Sequence, residues 1–233
     1  MSTPKVEDFA ELHKILCDFR KDKRWIFRGQ ADASWDLLPK AGRAPFSDIS
    51  DRVVFKAWKR RAIEHLRMLP ASDWEWLAIA QHHGLATRLL DWITNPLNAA
   101  YFAVREKVDA DALVYAARFT FRAGTDGLEP MEFSGVGVYW PAGVAPRIIR
   151  QGGVFTIQGE PTVPIKTGMD GLEDLKKIVI SSMARDTLLR ELSYNGVNAA
   201  TLFPDLDGLS AHLNWTVVSK EYWNLKIDEA RGL

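Results

Sequence analysis

The chain has almost no means of crosslinking itself. Cys17 is its one cysteine in 233 residues, which excludes an internal disulfide framework and makes a reducing compartment the expectation. It has no net charge either: Lys and Arg total 30, Asp and Glu total 30, so no molecule-wide field draws it to nucleic acid or an anionic membrane. Long apolar runs are missing, because Arg or Lys interrupts every stretch that approaches the roughly 18 residues of a membrane span. The N-terminus does not read as a charged-then-apolar secretory leader. A soluble, cytoplasmic protein with no membrane partner is expected.

Several chemical signatures are absent as well. No serine sits in a glycine-flanked elbow, no phosphate loop ends in Gly-Lys-Ser/Thr, and no Gly-x-Gly-x-x-Gly follows a strand; Gly135-Val136-Gly137 is too short to count. Triad hydrolases, P-loop NTPases and dinucleotide-binding oxidoreductases of the Rossmann type lose their support. With a single cysteine and no helical His-x-x-x-His, no dedicated metal site is expected.

What the chain does have is length for a substantial core, a 47% hydrophobic composition and nine tryptophans, most of them before residue 141. Thr3, Pro4, Glu7 and Asp8 read as the start of a helix carrying Phe9, Leu12, Leu16 and Phe19 on one stripe. Trp25–Arg28 reads as a strand with Arg28 on the face opposite Trp25 and Phe27. Helices are expected from about Asp48 to Leu69, from a Ser72-x-x-Glu75 capping box to His82 or His83, and from Asn95-Pro96 to Val104. The basic run Lys56, Lys59, Arg60, Arg61 and Arg67 is the solvated face of its helix, with nucleic-acid contact the minority alternative.

From Ala112 the pattern turns to strands: Leu113–Phe119, Val136–Trp140, Arg147–Ile149, Val154–Gln158, Lys177–Ile180 and Val197–Leu202, with helices near Met183–Tyr194 and Leu209–Val218. Residues 1–233 are read as one α+β domain, its helical first half packed on a mixed or antiparallel sheet.

Three polar clusters interrupt this core-forming sequence: Phe27-Arg28-Gly29-Gln30, residues 80–103, and Phe203-Pro204-Asp205-Leu206-Asp207-Gly208. Arg28 offers a planar fork for phosphate or carboxylate, and Gly29 beside it would let a ligand approach the backbone; a structural ion pair is the alternative. His82 and His83 close a helix at its negative end and could serve as a base, a metal ligand or structural histidines; pointing in different directions, they cannot both ligate one ion. Asp91 could orient a histidine or hold Arg88, and Thr87 supplies a hydroxyl next to the Gly84 turn, with a turn-stabilising role as the alternative.

These motifs are similar to those of the FRG domain family: Phe27-Arg28-Gly29-Gln30, Gln81-His82-His83-Gly84-Leu85, Thr87-Arg88-Leu89-Leu90-Asp91-Trp92, Asn95-Pro96 and Ala99-Ala100-Tyr101-Phe102-Ala103. Gln151-Gly152-Gly153-Val154-Phe155-Thr156 and the 202–208 segment extend the likeness. That family's name implies no particular reaction. A weaker resemblance is to ADP-ribosyltransferases, whose aromatic-Arg-Gly strand holds dinucleotide phosphates and is followed by a Ser/Thr segment, an Ala-x-x-Phe-Ala helix and a strand bearing a glutamate. It implies an ADP-ribosyltransferase-like fold and an NAD site built from Arg28, Gly29, Gln30, His82, Thr87, Arg88 and Asp91. Arg28, His83, Gln151 and Asp205 are then the candidates for chemistry. Gln151 stands roughly where that family has glutamate, so the resemblance also implies that another acid, Glu160, Asp205 or Asp207, enters the site, or that nucleotide is bound and not transferred.

The leading expectation is a nucleotide-binding protein of the NAD type; if it is an enzyme, the reaction is cleavage or transfer at the nicotinamide ribose, in a toxin or phage-defence effector with a protein or nucleic-acid acceptor. The alternatives are a hydrolase or nuclease using His82 or His83 with Asp91 or Asp205, and a non-catalytic module that binds a protein or nucleic acid.

Overall fold

The computed structural model describes residues 3–124, 127–141 and 152–221. Among them, seven strands form one mixed sheet: β1 (Lys5–Val6), β2 (Ile26–Gln30), β3 (Leu89–Ile93), β4 (Ala112–Phe119), β5 (Val136–Tyr139), β6 (Gly153–Gln158) and β7 (Leu172–Ile180). Their order across the sheet is β1-β7-β4-β2-β3-β6-β5, with β1 parallel to β7 and every other pair antiparallel. β4 is buried over most of its length because both its faces are covered. Val114 and Ala116 meet one layer, and Leu113, Tyr115 and Ala117 the other.

Helices α1 (Phe9–Cys17), α4 (Pro96–Val104) and α5 (Arg185–Tyr194) cover one half of the first face, over Phe27, Val114 and Ile178. α2 (Asp51–Ala62) and α3 (Asp73–His82) bring Phe55, Trp76 and Leu77 over Leu89, Phe155 and Ile157. The opposite face is closed by chain outside helices, with Leu37 and Ile165 set against Leu90, Trp92 and Tyr115. Trp92 is fully buried, and its indole N–H donates to Thr156 Oγ1 at 2.9 Å, so this large ring enters the core without an orphaned donor. Among the described residues no helix is long and apolar enough to cross a membrane.

The helix signals hold at Ser72 and Asn95. Ser72 caps α3, accepting from Glu75 N, and Asn95 caps α4, accepting from Leu97 N with Pro96 next in line. At the N-terminus the cap is Asp8, which accepts from Glu11 N at 2.8 Å, and not Thr3. Pro4 and Val6 instead bond along β7, which makes their segment an edge strand. The expected 48–69 helix ends at Ala62 and passes into a short 3-10 turn at Ile63–His65. Val197–Leu202 is no strand: Asn198 and Thr201 form a reciprocal capping box that starts α6 (Ala199–Leu202), followed by α7 (Leu206–Val218). Helices and strands are also interleaved along the chain, since β1, β2 and β3 all precede α4; the expected separation into a helical half and a sheet half does not hold. The expected Arg147–Ile149 strand lies outside the described residues.

α4 rests directly on β2. A Cβ at Gly29 would stand 2.0 Å from the Ala99 carbonyl oxygen and 2.6 Å from the Ala103 nitrogen, so glycine on the strand and alanines on the helix are what permit this approach. The glycine that sequence reasoning assigned to ligand access is thus required by helix–strand packing.

Candidate functional site

β2 pairs with β4 over five residues, and β3 with β6 over five, yet β2 and β3 share the single register pair Phe27–Ile93. The Arg28 guanidinium occupies the opening this leaves. Its NH1 donates to the Asp91 main-chain carbonyl at 2.7 Å, taking the place of a cross-strand amide. A cavity of about 390 Å3 lies here, lined by Arg28, Gly29, Gln30, Trp35, Arg43, Gln81, His82, Asp91 and Glu106, among others.

Among the described residues, two arginines face this cavity with little direct compensation. Asp91 Oδ2 stands 4.0 Å from Arg28 NH1, the Arg28 side chain is only 18% exposed, and its buried Nε has no hydrogen-bond partner among the described residues. Burial pulls the Arg28 pKa below its ordinary value; the Asp91 charge opposes that fall and the Arg43 charge adds to it. Arg43 is lowered by burial in the same way, and it donates from Nε and NH2 to the Leu38 carbonyl. Such a pair of partly desolvated guanidinium groups is suited to an anion. Trp35, 45% exposed, adds a broad aromatic surface to the lining.

Asp91 is steered from below by a hydrogen-bond chain. Thr87 Oγ1 donates to Gln81 Oε1 at 2.6 Å, and Gln81 Nε2 donates to Asp91 Oδ2 at 2.8 Å. Thr87 is buried and acts through Gln81, while Gln81 itself lines the cavity. Within the motif Gln81-His82-His83-Gly84, sequence reasoning singled out the histidines and passed over the glutamine. The available signal was its place one turn before the Gly84 stop, which sets it beside Thr87.

Of the expected site residues, Arg28, Gly29, Gln30, His82 and Asp91 come together in this cavity and Thr87 joins them through Gln81. His83 is the exposed C-cap of α3, its ring edge-on to His82 at 5.1 Å. Arg88 goes elsewhere. It makes a buried two-pronged pair with Asp51, Nε to Oδ2 and NH2 to Oδ1, both 2.7 Å, and borders a different cavity. The suggested Asp91–Arg88 pair is therefore replaced by Asp51–Arg88, with Asp91 answering to Gln81 and Arg28. Gln151 lies outside the described residues, although its neighbour Gly152 accepts from Thr94 N at 3.0 Å.

The third polar cluster serves another place. Asp205 caps α7 by accepting from Gly208 N at 2.8 Å, and with Asp207, Tyr101, Phe203, His212 and Trp215 it borders a separate cavity of about 430 Å3. Glu160 borders the Arg88 cavity. Among the described residues, the carboxylates that line the Arg28 cavity are Asp91 and Glu106.

One framework residue escaped the sequence reading altogether. Buried Arg185, at the start of α5, donates to the carbonyls of Ala31, Ala103, Glu106 and Ala110, tying the exit of β2 to the end of α4. Ala31 and Glu106 both line the cavity, so Arg185 fixes the wall without touching a ligand. Among the described residues, no group of three or more His, Cys, Asp or Glu side chains is placed to hold a metal ion.

Residues 23–112 match the family model of the FRG domain, a span that takes in β2, α2, α3, β3 and α4 and stops as β4 begins. The 151–156 and 202–208 motifs fall outside it. No curated protein and no solved structure matches the chain.

Proposed function

Because the chain carries an FRG domain whose Phe-Arg-Gly arginine lines the cavity between β2 and β3, we propose that this cavity binds a nucleotide of the NAD type. The observation that carries the reading is the state of Arg28: mostly buried, bonded through NH1 to a neutral carbonyl, and 4.0 Å from the nearest Asp91 carboxylate oxygen. A phosphate would supply the missing negative charge and accept from the guanidinium as a fork. Arg43 gives a pyrophosphate a second cation, and the exposed face of Trp35 gives a base or nicotinamide ring a surface to stack on. The volume, about 390 Å3, falls in the range of roughly 300–1,000 Å3 typical of small-molecule sites.

Reaction at the nicotinamide ribose would need a carboxylate beside the oxocarbenium-like centre that develops as the glycosidic bond breaks. Asp91 and Glu106 are the acids of the cavity, while Asp205, Asp207 and Glu160 border other cavities. A thermal scan with NAD, ADP-ribose, ATP and short oligonucleotides tests the binding. A ligand at a hundredfold excess over its Kd stabilises the folded state by about 2.7 kcal/mol. For a chain of this size that raises the melting temperature by roughly 5–10 °C. Nicotinamide release over hours adds catalysis to binding. If no nucleotide moves the transition at several millimolar, the reading fails and the protein-binding alternative takes its place; a shift with oligonucleotides alone transfers the site to nucleic acid.

A further inference from the structure

β3 is buried at Leu89, Leu90, Trp92 and Ile93, and exposed only at its middle residue, Asp91. A charged side chain, 57% exposed, in the centre of an otherwise buried strand faces open space for a reason that packing does not supply. We propose that Asp91 accepts the vicinal hydroxyls of a ribose and that Gln81 is a positioning residue that aims its carboxylate. The proposal rests on the nucleotide reading above and names the part of the nucleotide this side of the cavity would recognise.

The hydrogen-bond chain defines which way each group points. Thr87 Oγ1 accepts from Leu89 N at 3.1 Å, which leaves its own proton for Gln81 Oε1 at 2.6 Å. The amide oxygen is thereby committed to Thr87, and its NH2 must face Asp91 Oδ2, at 2.8 Å. One carboxylate oxygen is anchored by Gln81; of the roughly four lone-pair sites of a carboxylate, about three are left for hydroxyl donors. A carboxylate that accepts from ribose hydroxyls is an established way of reading that sugar.

The neighbours narrow the ligand further. A metal cation beside Asp91 would meet the positive charges of Arg28 and Arg43, so a neutral donor group is the better match for this acid. Arg28 NH1 and Asp91 Oδ2 lie 4.0 Å apart, side by side, and in a nucleotide the phosphate and the sugar hydroxyls are adjacent parts of one unit. The arginine then takes the phosphate and the aspartate takes the diol. A ligand lacking the diol leaves the anchored carboxylate unpaired, which is where discrimination arises.

The test compares ADP with 2′,3′-dideoxy-ADP by equilibrium titration of the full chain, for the wild type and for Asp91→Ala, Gln81→Leu and Gln81→Glu. Melting curves confirm that each variant is folded; Asp91 is exposed enough for its truncation to be tolerated. The wild type should bind ADP about tenfold or more tightly than the dideoxy sugar, and the ratio should fall to near one in Asp91→Ala and shrink in Gln81→Leu. In Gln81→Glu the ratio should persist at acid pH, where the introduced carboxyl is protonated and donates to Asp91, and collapse toward pH 8, where the two carboxylates repel. A glutamine with a purely structural role would change the melting temperature and leave the ratio and its pH profile alone. Equal affinity for the two sugars in a wild type that binds ADP overturns the ribose assignment while the nucleotide reading stands. Absence of binding by ADP, its dideoxy form and NAD alike removes the nucleotide reading and the assignment with it.

Discussion

Two arginines of this chain should respond very differently to the same substitution. Arg88 is 8% exposed and gripped at both ends of its fork by Asp51, itself 6% exposed. Replacement by Met keeps the stem and removes the charge, which strands a buried carboxylate; breaking such a pair costs about 3–5 kcal/mol. At roughly 2–4 °C per kcal/mol, the melting temperature of Arg88→Met should fall by about 6–20 °C. Arg28 has one charge-assisted bond, to the Asp91 carbonyl at 2.7 Å, of a type that contributes about 1.5–3 kcal/mol. Against it stands the buried, unpartnered Nε, a defect of about 1–3 kcal/mol. The two nearly cancel, so Arg28→Met should melt within about 1 kcal/mol, or roughly 4 °C, of the wild type. Parallel thermal scans without ligand decide the matter. If Arg28→Met melts as low as Arg88→Met, Arg28 is a framework residue and the case for a ligand arginine collapses.

Gly29→Ala pushes a methyl into the backbone of α4, and overpacking of this kind should lower stability by at least about 1–3 kcal/mol in a chemical denaturation curve. Arg185→Met removes a shared donor from four backbone carbonyls and should cost on the order of 3–5 kcal/mol, with nucleotide affinity falling as the cavity wall loosens. Burial lowers the His212 pKa in the folded state, so below the unfolded value of about 6.5 the unfolded chain takes up a proton that the folded one resists. That stability is present above pH 6.5 and lost as pH falls through the folded pKa; melting curves between pH 7 and 5 should show a decline that His212→Phe reduces.

The parts of the fold that could be read from the sequence are those with local chemistry. The Ser72 and Asn95 caps, the Gly84 stop and the apolar run of residues 112–119 with its Val and Tyr each carry their own signal, and the corresponding elements lie where that signal puts them. β3 was invisible because Leu89–Ile93, buried on both faces except at Asp91, has no alternation to betray it. Val197–Leu202 misled through β-branched residues that the Asn198 cap overrides. The polar clusters announced a site, but not how it divides. Arg88 and Asp91, three residues apart, belong to different cavities, because Asp51, 37 residues earlier, claims the arginine. Arg185 carries no motif; its role comes from carbonyls 75 to 154 residues distant, a relation that no spacing rule contains.

The central claim, that the cavity beside Arg28 holds a nucleotide through its phosphates, is tested most directly by titrating NAD into the wild type, Arg28→Met and Trp35→Ala and following intrinsic tryptophan fluorescence or heat. The account predicts saturable binding to the wild type, a loss of roughly tenfold to a hundredfold in Arg28→Met for the missing charge-assisted bonds, and a smaller loss in Trp35→Ala. NAD binding that is absent in the wild type, or unchanged by removal of the Arg28 guanidinium, would contradict it.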